Sequence, residues 1–286
     1  MGYELWISPN TGIRRKGTTF KELQSLFIDK ISTKYIYEPI LSCKMTDEST
    51  HVKETLDQRE FDIVGVINEN AQIIGFAKRE ELTEGPIENF TKKIEIQNVI
   101  SDSTPISRLL NILLKEPFAF VLVEENINGI ITRADINKPI VRIYLFGIIS
   151  LFEMHINFWI KDFYDNESWK EILKKERLTE AKDIYELRKG KNEDLSLLEC
   201  IQLCDKKVIL KSTIDFQKKF DFSKNQIEKL LKNVEKIRNE LVHSQNSIIS
   251  NLEWTDFVKT ISNTENFLSI SEKIVEQKAR TPNTGS

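Results

Sequence analysis

The feature that most constrains the fold of this chain is a strand–turn–strand–helix unit that occurs twice. FDIVGVINENAQIIGFAKREEL (61–82) is predicted to form a strand, an Asn-Glu-Asn turn, a second strand and the start of a helix, and FAFVLVEENINGIITRADI (118–136) repeats this plan. Gly75 of the first copy corresponds to Gly129 of the second, at a spacing of 54 residues. Because one such unit cannot bury its apolar face alone, we expect the two copies to pack against each other.

Each copy is preceded by a polar segment and an amphipathic helical pattern, TDESTHVKETLDQ in the first and SDSTPISRLLNILLK in the second. A Ser or Thr side chain at a helix start accepts hydrogen bonds from backbone N–H groups that have no partner in the first turn. We therefore expect hydroxyl caps on both helices.

The β-strand pattern ends near residue 140, and the rest of the sequence is predicted to be helical. Helices are expected at 141–162, 166–188, 194–208, 223–249 and 253–278. The predicted fold is thus an α+β domain (1–140, including an N-terminal extension), an all-α helical bundle (141–278) and a frayed tail (279–286). No flexible linker separates the two halves, so we expect them to be coupled rigidly.

Composition restricts the compartment and the ligands. The 41 basic and 44 acidic residues give a net charge of −3, which argues against capture of nucleic acid over the whole surface but not against a local basic patch. The odd number of cysteines (Cys43, Cys200 and Cys204) and the lack of a secretory signal lead us to expect a reducing cytoplasm. Cys200 and Cys204 are expected to be buried thiols rather than zinc ligands, and no metal site is expected.

The segment IVRIYLFGIISLFEMHINFWI (140–160) is apolar enough to be compared with a membrane span. Its uncharged apolar run, Ile143 to Phe152, is half the length of about 20 residues that a span needs. A buried core helix is therefore expected, with no membrane partner.

The second copy of the repeat closes with GIITRADI. This motif, together with the tandem plan, resembles paired CBS domains (Bateman modules) over about residues 20–140. The resemblance implies a fold that binds an adenine nucleotide (AMP, ADP, ATP or a related signal) between the two copies, as a regulatory ligand. It also implies that the hydroxyl of Thr132 contacts phosphate and the carboxylate of Asp135 contacts ribose, with Arg133 in the same motif.

The first copy departs from that motif. Lys78 stands where Thr132 does, and Glu81 where Asp135 does. One intact nucleotide site is therefore expected rather than two, with Lys78 as a further phosphate contact. The alternative is a purely structural module in which Asp135 caps a helix.

A second cationic element precedes the repeat. Arg14, Arg15 and Lys16 lie between two glycines in a predicted loop. Such a cluster suits an anionic ligand, and a solvated charge run is the equal alternative.

The predicted helix at 223–249 carries the candidate catalytic residues. At 100° per residue, one apolar stripe is predicted along it. The stripe consists of Ile227, Leu230, Val234, Ile237, Leu241 and Ile248. Asn239 and His243 fall nearly opposite this stripe, with Asn246 beside them, and Arg238 lies at its margin. His243 therefore faces solvent, a partner helix or a second subunit.

The segment RNELVH in this helix resembles the Arg-x4-6-His signature of HEPN domains, over about residues 141–278. The resemblance implies a metal-independent endoribonuclease that acts as a dimer and needs no cofactor. His243 would move a proton at the ribose 2′-hydroxyl or the leaving 5′-oxygen, Arg238 would hold the scissile phosphate, and Asn239 would orient either group. The implied products carry a 2′,3′-cyclic phosphate and a 5′-hydroxyl. An ordinary surface histidine is the alternative.

Glu153 is a further candidate, because a carboxylate inside an apolar helix needs a partner. Arg238 is the expected one, either in a salt bridge that joins two helices or in catalysis. RNA also needs a cationic surface, and residues 206–236 contain nine lysines and four acidic residues.

Taken together, the two resemblances imply an endoribonuclease regulated by a nucleotide, in stress or phage defence by family analogy. A homodimer through the helical domain is expected, with further assembly through the CBS pairs. Two alternatives stay open. One is a non-catalytic nucleotide-sensing binding protein, and the other is a HEPN toxin that a partner controls.

Overall fold

A computed structural model describes residues 5, 7–8, 11–13, 19–29, 31–191, 195–243 and 247–280. Its helices are α1 (Phe20–Asp29), α2 (Ser49–Arg59), α3 (Ile106–Ile112), α4 (Pro139–Phe163), α5 (Lys175–Lys189), α6 (Leu197–Cys200), α7 (Leu203–Ser212), α8 (Ile214–Phe220), α9 (Lys224–Val242) and α10 (Trp254–Arg280). Its strands are β1 (Glu38–Pro39), β2 (Ser42–Lys44), β3 (Ile63–Ile67), β4 (Ile73–Lys78), β5 (Lys92–Lys93), β6 (Val99–Ser101), β7 (Phe118–Val123) and β8 (Asn126–Thr132).

The described chain divides into two compact units. Leu26–Val141 forms the α/β unit, and the residues from Arg142 onward, joined by those before Leu26, form the helical unit. The division falls next to the predicted boundary at residue 140. The described residues before Leu26, however, group with the helices, whereas the sequence predicts that the N-terminal extension belongs to the first domain. Leu23 of α1 lies against Gly147 of α4, 3.0 Å from where a Cβ atom on that glycine would be.

The α/β unit consists of the predicted repeat. In the first copy β2 pairs in parallel with β3, and β3 pairs antiparallel with β4. In the second copy β6, β7 and β8 pair in the same way. The turn of the first copy is also as predicted, because the side chain of Asn68 accepts hydrogen bonds from the N–H groups of Asn70 and Gln72 at 3.0 and 2.9 Å. The α+β prediction for this half is confirmed.

Each sheet is completed by a short strand that precedes the other copy. β1 lies ahead of the first copy but pairs with β8 of the second, and β5 lies ahead of the second copy but pairs with β4 of the first. The sheet orders are therefore β2-β3-β4-β5 and β1-β8-β7-β6. The two copies exchange strands, which the repeat pattern alone did not predict.

An aromatic cluster joins the two copies. The ring of Phe76 in the first sheet lies 5.7 Å from that of Phe118 and 5.2 Å from that of Phe120 in the second. Edge and tilted ring contacts at these distances are favourable beyond the apolar area that they bury. The predicted packing of the two copies against each other is confirmed.

The helix starts in this unit differ from the prediction. α2 begins after Glu48 and α3 after Pro105, and neither of these residues makes a side-chain cap hydrogen bond. The hydroxyl of Ser49 instead donates to the backbone carbonyl of Thr83. The predicted Ser or Thr caps are wrong, because this serine hydroxyl bonds to a distant segment rather than to its own helix.

In the helical unit, α4 is the central apolar helix. It is the one described helix long and apolar enough, by length and composition, to cross a membrane, and 56% of its most apolar stretch is buried inside the protein. Trp159 is fully buried, and its indole N–H donates to the hydroxyl of Ser271 at 2.6 Å. His155 is fully buried too, 2.7 Å from the same hydroxyl and 3.0 Å from a carboxylate oxygen of Glu272. These contacts are those of a core helix, and His155 is a packed residue.

Three predicted helices have different bounds. The helix predicted at 166–188 begins only at Lys175, as α5, after a 3-10 helix at Asp165–Ile172. The helix predicted at 194–208 is divided into α6 and α7, because Gln202 starts a new helix and its N–H donates to Asp205 at 3.1 Å. A further helix, α8, follows after Thr213. The helix predicted at 223–249 ends at Val242. The sequence that follows is rich in Ser and Asn, whose side chains compete with the helical backbone for hydrogen bonds.

Candidate functional site

The candidate catalytic residues lie at the C-terminal end of α9. The helix starts with a capping box, in which Ser223 and Gln226 bond to each other's backbone N–H groups at 3.2 and 2.8 Å. Its apolar stripe is buried as predicted at Ile227, Leu230, Val234 and Ile237. Ile248 is buried as well, although it lies beyond the helix.

Asn239 and His243 are exposed, on the side of α9 away from the core, as predicted. His243 is the first residue after the helix, and its N–H donates to the carbonyl of Asn239 at 3.3 Å. The imidazole is therefore accessible, and its backbone is held by the last turn. Asn246 lies outside the described residues.

Arg238 joins α9 to α4. Its Nη1 donates to Oε1 of Glu153 at 3.1 Å, with 32% and 24% of the two side chains exposed. The expected partner of Glu153 is thereby confirmed. By accepting this hydrogen bond, the carboxylate of Glu153 fixes the orientation of the half-buried Arg238 guanidinium, because that planar group presents its donors in a rigid fork.

Sequence reasoning missed the burial of Lys206 in α7. This residue is only 3% exposed and lies on the core side of α7 between the buried Leu203 and Leu210. Burial lowers the pKa of Lys206, while the charge of Glu153 acts to raise this pKa and the charge of Arg238 acts to lower it. Within the described chain, the Lys206 ammonium makes no hydrogen bond or ion pair. The sequence signal for this burial was the i, i+3, i+7 spacing of Leu203, Lys206 and Leu210, which places the lysine on an apolar helix face.

Two other carboxylates near Lys206 are already bonded. Asp205 accepts two hydrogen bonds from Arg177, from Nε and Nη2, both at 2.9 Å. Glu199 accepts from the N–H and the hydroxyl of Ser196, at 2.8 and 3.0 Å.

Two of the nine lysines in the predicted basic surface of residues 206–236 form ion pairs within the described residues. Lys229 pairs with Asp256 at 2.7 Å, and Lys211 pairs with Glu228, which lowers the pKa of that carboxyl. Lys219 lies 4.5 Å from the centre of the Trp159 indole.

A groove of about 790 Å³ lies beside this surface, between α9 and α10. Lys232 and Lys236 line it together with the acidic Glu253 and Asp256. Its mixed charge makes it a weak candidate for binding a phosphate backbone.

The candidate nucleotide motif is folded into a helix cap. Asp135 is buried, and its Oδ2 accepts hydrogen bonds from the N–H and the hydroxyl of Thr132 at 2.7 and 3.1 Å. Its Oδ1 lies 2.9 Å from the ammonium of Lys138. That ammonium also donates to Glu38 and to the carbonyl of Ile36. Both carboxylate oxygens of Asp135 are therefore bonded within the protein, as the alternative of a purely structural module with Asp135 as a helix cap requires.

The other residues of this motif lie apart from the cap. The Nε of Arg133 donates to the carbonyl of Leu113 at 3.0 Å, at the end of α3. In the first copy, Glu81 pairs with Lys92 at 2.5 Å near the surface. Lys78 is half-buried and makes no side-chain hydrogen bond or ion pair to another described residue.

The remaining predictions concern the cationic loop, the cysteines and a metal site. Arg14, Arg15 and Lys16 lie outside the described residues. Cys43 and Cys200 are buried, whereas Cys204 is half-buried. No group of three or more His, Cys, Asp or Glu residues that could hold a metal occurs in the part of the chain that the structure describes.

No protein-family model and no curated protein matches the chain. Solved structures of CBS domains do match part of it. CBSX2 in complex with AMP is 16% identical (39% of this chain and 97% of that one, TM-score 0.34). CBS domains of a transcriptional regulator from Streptococcus pneumoniae are also 16% identical (38% and 98%, TM-score 0.33).

A third match is the CBS domain of a bacterial Mg²⁺ transporter of the CNNM/CorC family in complex with ATP, at 15% identity (41% and 91%, TM-score 0.34). The solved structures that match about two fifths of this chain are CBS domains, and the described residues from Pro139 onward are mostly helical.

Proposed function

We propose that this chain is a metal-independent endoribonuclease of the HEPN type, regulated by an adenine nucleotide that the α/β unit binds. The observation that carries the proposal is the end of α9. The guanidinium of Arg238, held by the carboxylate of Glu153, precedes the exposed imidazole of His243 by five residues, which is about 1.4 helical turns. These are the two group types that cleavage of RNA at the 2′-hydroxyl needs.

In this mechanism Arg238 binds the scissile phosphate and offsets the charge that builds on it in the transition state. His243 takes the proton of the 2′-hydroxyl or gives one to the leaving 5′-oxygen. A single imidazole cannot perform both transfers in one step, so a second copy of the motif supplies the other group. A homodimer with a two-fold axis near α9 satisfies that requirement.

The nucleotide-binding part of the proposal rests on the GIITRADI motif. The hydroxyl of Thr132 and the start of the short helix after it suit a phosphate. A ribose that contacts Asp135 must displace Lys138, whose ammonium lies on Oδ1. Binding of nucleotide would therefore break the pair of Lys138 with Asp135 and leave Lys138 on Glu38 and the carbonyl of Ile36, and this loss is the local change from which the signal starts.

The ribonuclease is tested by incubating the purified full-length chain with labelled RNA and EDTA, with and without AMP or ATP. We expect products with a 2′,3′-cyclic phosphate and a 5′-hydroxyl. His243→Ala should lower the rate of cleavage by a factor of about 10² to 10⁴. His51→Ala is the matched control, because His51 is also exposed but lies on α2. Cleavage that survives His243→Ala, or equal loss in the control, would contradict the assignment.

The second candidate is a nucleotide-responsive binding protein without catalysis. It is favoured by the mixed charge of the groove between α9 and α10, where the acidic Glu253 and Asp256 lie beside Lys232 and Lys236. No cleavage under any nucleotide condition, together with saturable binding of AMP or ATP, would support this candidate.

A further inference from the structure

The groove between α9 and α10 is lined by a buried amide, that of Asn233, which is only 6% exposed. The Nδ2 of Asn233 donates to the hydroxyl of Thr260 at 3.1 Å. That hydroxyl gives its own proton to the backbone carbonyl of Asp256, at 2.6 Å. Because a hydroxyl has one proton to donate, Thr260 can only accept from Asn233, and the amide nitrogen is therefore the atom that faces Thr260.

The amide oxygen of Asn233 is the atom left for the groove. It accepts no hydrogen bond from a described residue, and its surface is not closed to solvent. Buried polar groups in folded proteins almost always have a partner. An unpartnered oxygen on a buried side chain that lines an open groove is a ready acceptor for an N–H or O–H group of a ligand.

Charges of both signs surround this oxygen. The charged lining residues are Lys229, Lys232, Lys236, Glu228, Glu253 and Asp256. Lys229 pairs with Asp256 at 2.7 Å, and Lys236 donates to the backbone carbonyl of Asn251 at 3.0 Å. Glu228 pairs with Lys211. These four lining side chains are thus bonded within the helical unit.

Lys232 and Glu253 are the two charged lining residues that remain. Both are exposed, and neither side chain makes a hydrogen bond or ion pair to another described residue. The groove therefore offers a ligand one free ammonium, one free carboxylate and the oxygen of Asn233. The complementary ligand carries an anionic group, a cationic group and an N–H or O–H donor.

A nucleic acid and a polypeptide differ in how well they meet this demand. The phosphates of a nucleic acid are all anionic, so they are repelled by Glu253 and cannot donate to the oxygen of Asn233. A peptide has a backbone N–H at every residue except proline, and it can carry an acidic and a basic side chain together. The groove of about 790 Å³ is also within the size range of protein ligand sites.

We propose that the groove between α9 and α10 binds a peptide segment of a partner protein. A backbone N–H of the peptide donates to Asn233, its acidic side chain pairs with Lys232, and its basic side chain pairs with Glu253. The site shares no residue with the pair of Arg238 and His243, and it does not depend on the proposed ribonuclease.

The test is binding of fluorescent, N-acetylated hexapeptides to the full-length chain, measured by anisotropy. Each peptide carries one Glu and one Lys at varied spacing among Gly and Ser. We expect saturable binding by a subset of spacings, and Asn233→Leu, which keeps the size of the side chain, should weaken it about tenfold. Peptides that do not bind at any spacing, or that bind Asn233→Leu as well as the wild type, would overturn the proposal.

The two charge pairs are tested on exposed residues, where substitution leaves folding intact. Replacing the peptide Glu by Gln should weaken binding to the wild type about threefold and should have no effect on binding to Lys232→Met. Replacing the peptide Lys by Gln should act in the same way toward Glu253→Gln. Equal losses in the wild type and the variants would mean that the peptide charges do not meet these residues, and the proposal fails.

Lys259→Met is the matched control, because Lys259 is exposed on α10 but does not line the groove. Its effect on peptide binding should stay within about twofold, and a loss as large as that in Lys232→Met would indicate attraction by overall charge alone. A 2′-O-methyl RNA oligonucleotide is the second probe. If it displaces the bound peptide and is itself weakened by Lys232→Met, the groove is a nucleic-acid site and the peptide assignment is wrong.

Discussion

Gly75 and Gly129 are 54 residues apart, and each lies beneath a strand from the segment ahead of the other copy. A Cβ atom on Gly129 would come within 2.3 Å of the ring of Tyr37, next to β1. A Cβ atom on Gly75 would come within 2.6 Å of Thr91 and 2.8 Å of the backbone carbonyl of Lys92, in β5. The repeated glycine thus follows from the exchanged strands, since only a residue without a side chain allows so close a crossing.

Gly75→Ala is therefore expected to destabilise the α/β unit by about 1–3 kcal/mol, because the new methyl group meets the carbonyl oxygen of Lys92, which cannot move aside without its strand. Gly65→Ala is the matched control in the neighbouring strand. A Cβ atom there would meet the end of the flexible Ile73 side chain at 2.8 Å, which can change rotamer. Differential scanning calorimetry of both variants checks the difference. Equal shifts in Tm would contradict the role of the crossing strand.

The parts of the fold that depend on periodicity could be predicted from the sequence. The stripe on α9 was predicted because apolar residues recur every three or four positions, and Ile227, Val234 and Ile237 are buried accordingly. The pair of Glu153 and Arg238 was predicted because a carboxylate in an apolar helix requires a cation, and Arg238 lies at the margin of its own stripe.

The parts that depend on distant contacts could not be predicted. β1 and β5 have two residues each, too short for an alternating pattern, and they form only because an edge of the other sheet is there to pair with. Lys206 was counted with the solvated lysines of the basic stretch, because its burial depends on how α7 meets α4 and α9. Ser49 looked like a cap, but its hydroxyl bonds to Thr83, which lies far along the chain.

Asp135 is expected to contribute more to stability than its counterpart Glu81. Asp135→Asn removes the charge that Lys138 pairs with and weakens the cap on Thr132, so we expect a loss of about 2–4 kcal/mol. Glu81→Gln removes an exposed pair with Lys92 and should cost at most about 1 kcal/mol. Urea denaturation followed by circular dichroism checks both values. A loss in Glu81→Gln as large as that in Asp135→Asn would show that burial of the carboxylate does not matter.

Glu153 and Arg238 are expected to be coupled energetically. Because the two side chains are 24% and 32% exposed, removal of either partner should cost about 1–3 kcal/mol, between the values for surface and buried pairs. The double variant Glu153→Gln/Arg238→Met should cost clearly less than the sum of the single variants. Additive losses in thermal unfolding would mean that the two groups stabilise the helices separately.

Lys206 and Lys138 are expected to give pH dependences of opposite sign. Burial lowers the pKa of Lys206 in the folded state. The stability linked to this shift is present above the unfolded-state pKa of about 10.4, and it is lost as the pH falls through the folded-state pKa. The wild-type chain should therefore gain stability relative to Lys206→Met as the pH rises toward about 10.4.

For Lys138, burial acts to lower the pKa, but its hydrogen bonds to Glu38 and Asp135 outweigh burial and leave the pKa raised. That stability is complete below about pH 10.4 and is lost only as the pH rises through the folded value. Lys138→Met should thus be less stable than the wild type by a constant amount from pH 6 to about pH 9, and the difference should close only in stronger alkali. Unfolding in urea across this range measures both variants against the wild type. Trends of the same sign would mean that the hydrogen bonds of Lys138 to Glu38 and Asp135 do not outweigh its burial.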